Sequence, residues 1–134
     1  MTKIMLDTNA CISIINNRPK QVGAQLAKYN PNDIAISSVV SYELFYGVCK
    51  SQQQQKNQQR LKHFLRYIRV LEYEEYAAQE TAYIRCELEK KGTPIGAYDL
   101  QIAGHARVLD CILITHNTKE FSRVSGLEIQ DWES

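Results

Sequence analysis

A chain of 134 residues, 44% hydrophobic and 23% charged with a formal net charge of +1, has the length for one domain with a real core over residues 1–134. That balance excludes a global basic field, so a nucleic-acid partner would need a local patch. Apolar runs stay under ten residues and no signal-peptide pattern precedes the first one, which excludes a membrane partner and implies the cytoplasm.

In chain order, residues 3–6 read as a short buried strand, and residues 8–15 as a helix stopped by Asn16-Asn17-Arg18-Pro19. A helical pattern over 20–29 closes at Asn30-Pro31, residues 34–37 form a second strand, and Ser38 is placed to cap a helix running to Cys49. The Gln-rich stretch 51–59 looks low in complexity, yet Gln is a fair helix former and the pattern continues beyond it. Leu61, Phe64, Leu65 and Ile68 then share one helical face, with Lys56, Arg60, Lys62, His63, Arg66 and Arg69 on the other. Residues 70–73 read as a third strand, 75–91 as a long helix ending at Gly92, and 97–108 as a helix after the 92–96 loop. A strongly apolar fourth strand over 111–115, a helical turn at 118–121 and a last strand at 127–129 complete the chain. Alternating strands and helices predict an α/β domain with a mainly parallel central sheet flanked by helices.

Such sheets gather ligands at the carboxyl ends of their strands, and polar residues recur there. Asp7 follows the first strand within Leu6-Asp7-Thr8-Asn9; it suits an N-cap or one arm of a metal site. Glu43 is the only charged residue between Asp33 and Lys50, on a helical face with Val39, Val40 and Gly47, so it needs a cation, donors or a proton. Asp99 stands near the start of the 97–108 helix, where capping is the simpler role, and Asn117 follows the fourth strand with Glu120 three residues on. Each has an ordinary structural explanation alone; together they suggest one acidic site. Clustered carboxylates repel, and a divalent cation relieves this. Oxygen ligands without thiolates favour Mg²⁺ or Mn²⁺, a combination suited to phosphodiester hydrolysis.

Cys11, Cys49, Cys86 and Cys111 are scattered without a C-x-x-C pair, so neither a structural zinc nor a disulfide is expected. The D-x-D of a phosphoaspartyl hydrolase and the Gly-x-Gly-x-x-Gly of a dinucleotide site are both absent after the first strand.

The ordered set Met5-Leu6-Asp7-Thr8-Asn9, Tyr42-Glu43-Leu44-Phe45-Tyr46-Gly47, Gly92-Thr93-Pro94-Ile95-Gly96-Ala97-Tyr98-Asp99, Ile102-Ala103-Gly104-His105-Ala106, Leu113-Ile114-Thr115-His116-Asn117 and Asp131-Trp132 resembles the PIN-domain ribonucleases, and among them the VapC-type toxins of toxin–antitoxin pairs. The resemblance implies a PIN-like three-layer fold and a Mg²⁺- or Mn²⁺-dependent endoribonuclease, dimeric and restrained by a VapB-type antitoxin. It carries metal-binding roles to Asp7, Glu43 and Asp99, with Thr8 and Asn9 orienting Asp7 or water. Many relatives have a fourth acid where this chain has Asn117; Asn can ligate through its carbonyl, and Glu120 is close enough to substitute. The enteric-type VapC toxins, which this chain resembles most, imply initiator tRNA as substrate, cut in the anticodon region.

Arg60, Lys62, Arg66 and Arg69 are candidates for contacting RNA, with a solvated helix face as the plainer alternative. Among the three histidines His116 is the best placed for general-base work. Tyr42, Phe45, Tyr46, Tyr67 and Tyr73 supply aromatic surface for an antitoxin segment, whose basic side chain would face the acids. The alternative from another class is a catalytically silent PIN-like module that binds RNA or a partner; Asn117 keeps it open, and the acids argue against it.

Overall fold

The computed structural model describes residues 2–134. Its strands are Ile4–Leu6 (β1), Ile34–Ser37 (β2), Arg69–Leu71 (β3), Ile112–Ile114 (β4) and Ile129–Gln130 (β5), joined in one parallel sheet of order β3-β2-β1-β4-β5. Met5 lies opposite Ala35 on one side and Leu113 on the other. Every residue of β1 and β2 is buried, as central strands covered on both faces require. From β1 the chain builds outward through β2 to β3, then returns to lay β4 on the opposite side of β1. This reversal opens a crevice between the carboxyl ends of β1 and β4.

Helices supply the crossovers. Thr8–Asn16 (α1) stops at Asn17, whose left-handed backbone (φ 53°) turns its N–H onto the Ser13 and Ile14 carbonyls. Lys20–Leu26 (α2) is shorter than the expected 20–29: Pro31 forces the chain out of helix into a 3₁₀ turn, and Tyr29 stacks on Trp132 with ring centroids 5.6 Å apart. Ser38–Cys49 (α3) is capped by Ser37, not Ser38. Ser37 keeps the extended backbone a cap needs and accepts from the Val39 N–H at 3.1 Å, while the Ser38 hydroxyl accepts from the Tyr73 N–H at 2.9 Å.

The Gln-rich stretch becomes helix over Gln54–Leu65 (α4), burying Leu61 and Phe64. The helix ends before Arg69, which belongs to edge strand β3; the expected basic face therefore breaks after Arg66. Glu75–Lys90 (α5) closes through Gly92 at φ +71°, where a side chain would be strained. It packs against Ala97–Val108 (α6) so closely that a Cβ on Gly104 would sit 2.9 Å from the Thr81 backbone. Thr118–Phe121 (α7) follows β4, and β5 lies at 129–130, later than the expected 127–129. Among the described residues no helix is long and apolar enough to cross a membrane.

Candidate metal centre

Asp7 leaves the end of β1 in extended conformation, its own N–H bonded to the Ile114 carbonyl of β4 at 3.1 Å. Its Oδ1 accepts from the Ala10 N–H at 2.8 Å. Capping α1 therefore occupies one carboxylate oxygen, while the carboxylate also lines the crevice. The side chain is 5% exposed, and burial raises its pKa above the ordinary 3.8. Thr115 and the Ala10 N–H counter that rise, and the charges of Glu43 and Glu133 add to it.

Glu43, one turn into α3, is half-buried and receives the Thr8 hydroxyl on Oε1 at 2.6 Å. Thr8 thus orients Glu43 rather than Asp7. Asp99 is not a cap: Gly96 holds that position, and Asp99 lies within the first turn of α6. Its pKa is pushed up to about 6, first by burial, then by Glu120, with Asp7 and Glu43 adding their charges. Asn117, three residues beyond β4, donates its backbone N–H to Thr115 Oγ1 at 2.9 Å and its Nδ2 to Glu120 Oε2 at 3.0 Å.

Asp7, Thr8, Asn9, Glu43, Asp99 and Asn117, with Phe121 beneath, line one cavity of about 140 Å³. All but Phe121 were legible as site candidates; Phe121 has no polar signal to reveal it. Thr115 was also missed, because a buried Thr at a strand end reads simply as β-former. A larger cavity, about 560 Å³ along β3 and the start of α5, holds no comparable convergence of acids.

The remaining candidates do not join this cavity. His116 is exposed, its Nδ1 3.0 Å from Asp131 Oδ2, and that carboxylate raises its pKa. Although next to Asn117 in sequence, it is not among the residues lining the cavity, so the geometry adds no support for a general-base role. Arg60 spans two helices, donating Nη2 to the Ile15 carbonyl at 2.9 Å and Asn16 Oδ1 at 3.0 Å. Arg69 bonds Thr2 at the far edge of the sheet. Lys62 and Arg66 alone of the four remain exposed and uncommitted among the described side-chain contacts. Tyr73 is internal, donating to Thr81 at 2.7 Å with its ring edge-on to His105, whereas Tyr42, Phe45, Tyr46 and Tyr67 are exposed.

The donor set fits a hard divalent cation: oxygen ligands only, with two carboxyls held at raised pKa by burial and mutual repulsion. Among the described residues no three acids, Cys or His close tightly enough to hold an ion unaided.

The PIN domain family model matches residues 4–127. Over 132 residues the chain is 46% identical to the tRNA(fMet)-specific endonuclease VapC of Shigella flexneri, covering 98% of this chain and 99% of that protein. It is 40% identical to ribonuclease VapC2 of Rickettsia felis, covering 96% and 97%. The DNA-bound VapBC structure from Salmonella typhimurium contains a chain that superposes at TM-score 0.93 with 42% identity, covering 98% of this chain and 99% of that one. The carboxylates at the reversal of the sheet and these full-length likenesses agree: the chain belongs to the PIN-domain family, among the VapC ribonucleases.

Proposed function

We propose that this single domain is the toxin of a VapBC-type pair, an endoribonuclease that uses Mg²⁺, with Mn²⁺ as a substitute, in the cytoplasm. One observation carries the reading. Carboxylates from three separate helices, α1's cap Asp7, Glu43 of α3 and Asp99 of α6, converge with Asn117 on one small cavity. Nothing in the fold requires such mutual repulsion, and a cation offsets it.

Asp7, Glu43 and Asp99 hold the cation; Asn117, its amide nitrogen given to Glu120, turns its oxygen to the cavity or to a water. A divalent cation there supplies charge stabilisation at the phosphodiester and lowers the pKa of a nucleophilic water. Thr8 fixes one Glu43 oxygen, the Ala10 N–H fixes one Asp7 oxygen, and Glu120 keeps Asn117 in place. Asn9, exposed on the lining, is positioned for a water or phosphate oxygen. Initiator tRNA is the proposed substrate, on the strength of the Shigella relative's tRNA(fMet) specificity over nearly the whole chain.

The partner is a VapB-type antitoxin. Ile12, Ile15, Leu44 and Val48 line an apolar groove of about 230 Å³ between α1, α3 and α4 with Glu43 also in its wall. A segment filling it reaches the acids, where a basic side chain is complementary. Homodimerisation would use the exposed aromatics of α3 and α5, among them Phe45, Tyr46, Tyr76 and Tyr83.

The test is cleavage of a total tRNA pool in Mg²⁺ by wild type and by Asp99→Asn, purified identically. Discrete fragments from wild type alone, abolished by chelator, are expected, and their ends name the bond. Equal behaviour of the two proteins in both Mg²⁺ and Mn²⁺ would overturn the reading in favour of a silent binding module.

A further inference from the structure

No Lys or Arg lines the acid cavity. Of the basic residues that the sequence offers for RNA, Arg60 is bonded to α1 and Arg69 to Thr2. Charge attraction at the cavity itself must therefore come from the bound cation. A cation attracts every phosphate alike and cannot select which nucleotide is presented. Another contact has to hold the nucleotide beside the scissile bond.

Immediately before two of the acids stand two tyrosines on different helices, Tyr42 before Glu43 on α3 and Tyr98 before Asp99 on α6. Although separated by 56 positions, their hydroxyl oxygens meet at 3.1 Å. The ring centroids are 5.6 Å apart and the planes tilted by 56°, a wedge closed at its hydroxyl tips. Tyr42 is 53% exposed and Tyr98 45% exposed, so each offers ring surface to solvent. Each tyrosine is the chain neighbour of a cavity-lining acid, Glu43 or Asp99, which places the wedge beside the acid cavity.

Resting on the nuclease reading above, we infer that Tyr42 and Tyr98 form an aromatic wedge whose exposed outer surface stacks one unpaired nucleobase beside the phosphodiester presented to the acids. An aromatic face is the surface on which a splayed base of a single-stranded loop is usually held, and it tolerates any base. The mutual hydroxyl contact fixes both side chains before RNA arrives, which cuts the ordering cost of binding. The wedge also discriminates: a base locked in a duplex has no free face to lay on a ring, so loops are favoured over stems. These residues bind substrate and take no part in proton transfer.

The probe is a stem-loop RNA with 2-aminopurine in the loop, bound by the full chain carrying Asp99→Asn in Mg²⁺. Stacking on tyrosine quenches its fluorescence. Tyr42→Leu and Tyr98→Leu keep apolar bulk without an aromatic face; each is expected to weaken binding about tenfold and abolish the quench. Tyr42→Phe and Tyr98→Phe keep the ring and should rescue the quench. In the cleaving chain the Leu variants should raise KM about tenfold while kcat changes less than about threefold.

If wild type cleaves RNA and the Leu variants bind and quench like their parents, the wedge is overturned and the nuclease reading stands. If wild type shows no metal-dependent cleavage, the nuclease reading falls, and the quench still decides whether the rings hold a base. A Leu variant that changes sedimentation but not the quench would assign the tyrosines to a subunit contact and overturn the proposal.

Discussion

Replacing Asp99 with Asn should stabilise the metal-free protein while removing its activity. The Asp99 carboxyl, ordinarily at 3.8, stands at about 6 in the fold. The folded chain thus holds this proton more tightly than the unfolded chain does. Stability from this group is fully present below 3.8 and is lost as pH rises through about 6. At neutral pH the full displacement, 6 − 3.8, sets an upper bound of about 3 kcal/mol. The side chain is only half-buried, so solvent screening reduces this to about 1 kcal/mol. Asn removes the charge at constant shape and can still donate to Glu120, as the protonated acid does.

Thermal melts in chelator should place Asp99→Asn about 3–5 °C above wild type near pH 7.5, a gap that closes toward pH 4. Adding Mg²⁺ should reverse the order, because wild type gains more binding free energy than Asp99→Asn, about 2.7 kcal/mol at a hundredfold excess over its Kd. A variant less stable than wild type in chelator, or a gap indifferent to pH, would show that the acids do not repel as the geometry requires.

The same titration governs metal affinity. With the Asp99 carboxyl at about 6, its ionised fraction falls from nine-tenths at pH 7 to one-tenth at pH 5, so Mg²⁺ affinity measured calorimetrically should drop at least about tenfold. A flat profile would remove Asp99 from the ligands. Arg60→Ala should lower stability by about 1 kcal/mol, through its two bonds to the end of α1, and leave the salt dependence of RNA binding unaltered. Lys62→Ala or Arg66→Ala should do the opposite, each reducing the salt slope by about 1 without a shift in melting. Ser37→Ala removes the α3 cap and the 2.8 Å contact to His105 Nδ1, and should cost about 1–2 kcal/mol in melts together with a fall in kcat. Unchanged kcat would mean that Glu43 is held without that tie.

The fold was legible because its signals are local. Short apolar strands, turn residues and the 3.6-residue period mark each element within its own window, and the bounds of α6 match the pattern to the residue. The acids were legible for a related reason: each follows a strand or starts a helix, where an unexplained charge stands out. What failed was extrapolation and partnership. Arg69 continues the helical period of α4 on paper, but the chain leaves that helix after Leu65 to reach the sheet edge. Arg60 does lie on the helix, and only the approach of α1 shows that its guanidinium is committed. Tyr73 and His116 each looked available until a residue from another element, Thr81 or Asp131, proved to hold it. Tyr98 drew no notice because its partner, Tyr42, is 56 positions away.

Asp7 caps α1 through one oxygen only, so the cap and the proposed metal-ligand role do not compete, and the same division recurs around the cavity. Asp7 gives Oδ1 to the Ala10 N–H, Glu43 gives Oε1 to Thr8, and Asn117 gives Nδ2 to Glu120. Each side chain is anchored through one polar atom and presents the other. Anchoring fixes the rotamer before any cation or substrate arrives, so binding does not have to order the ligands. It also explains why the acids remain dispersed rather than collapsing onto one point. Glu43 and Asp7 are each tied through one oxygen to the start of α1, and among the described residues no three His, Cys, Asp or Glu form a ready metal cluster. A site held open in this way is stressed when empty and relaxed when filled, and so its stability and its metal affinity should respond to pH in opposite directions.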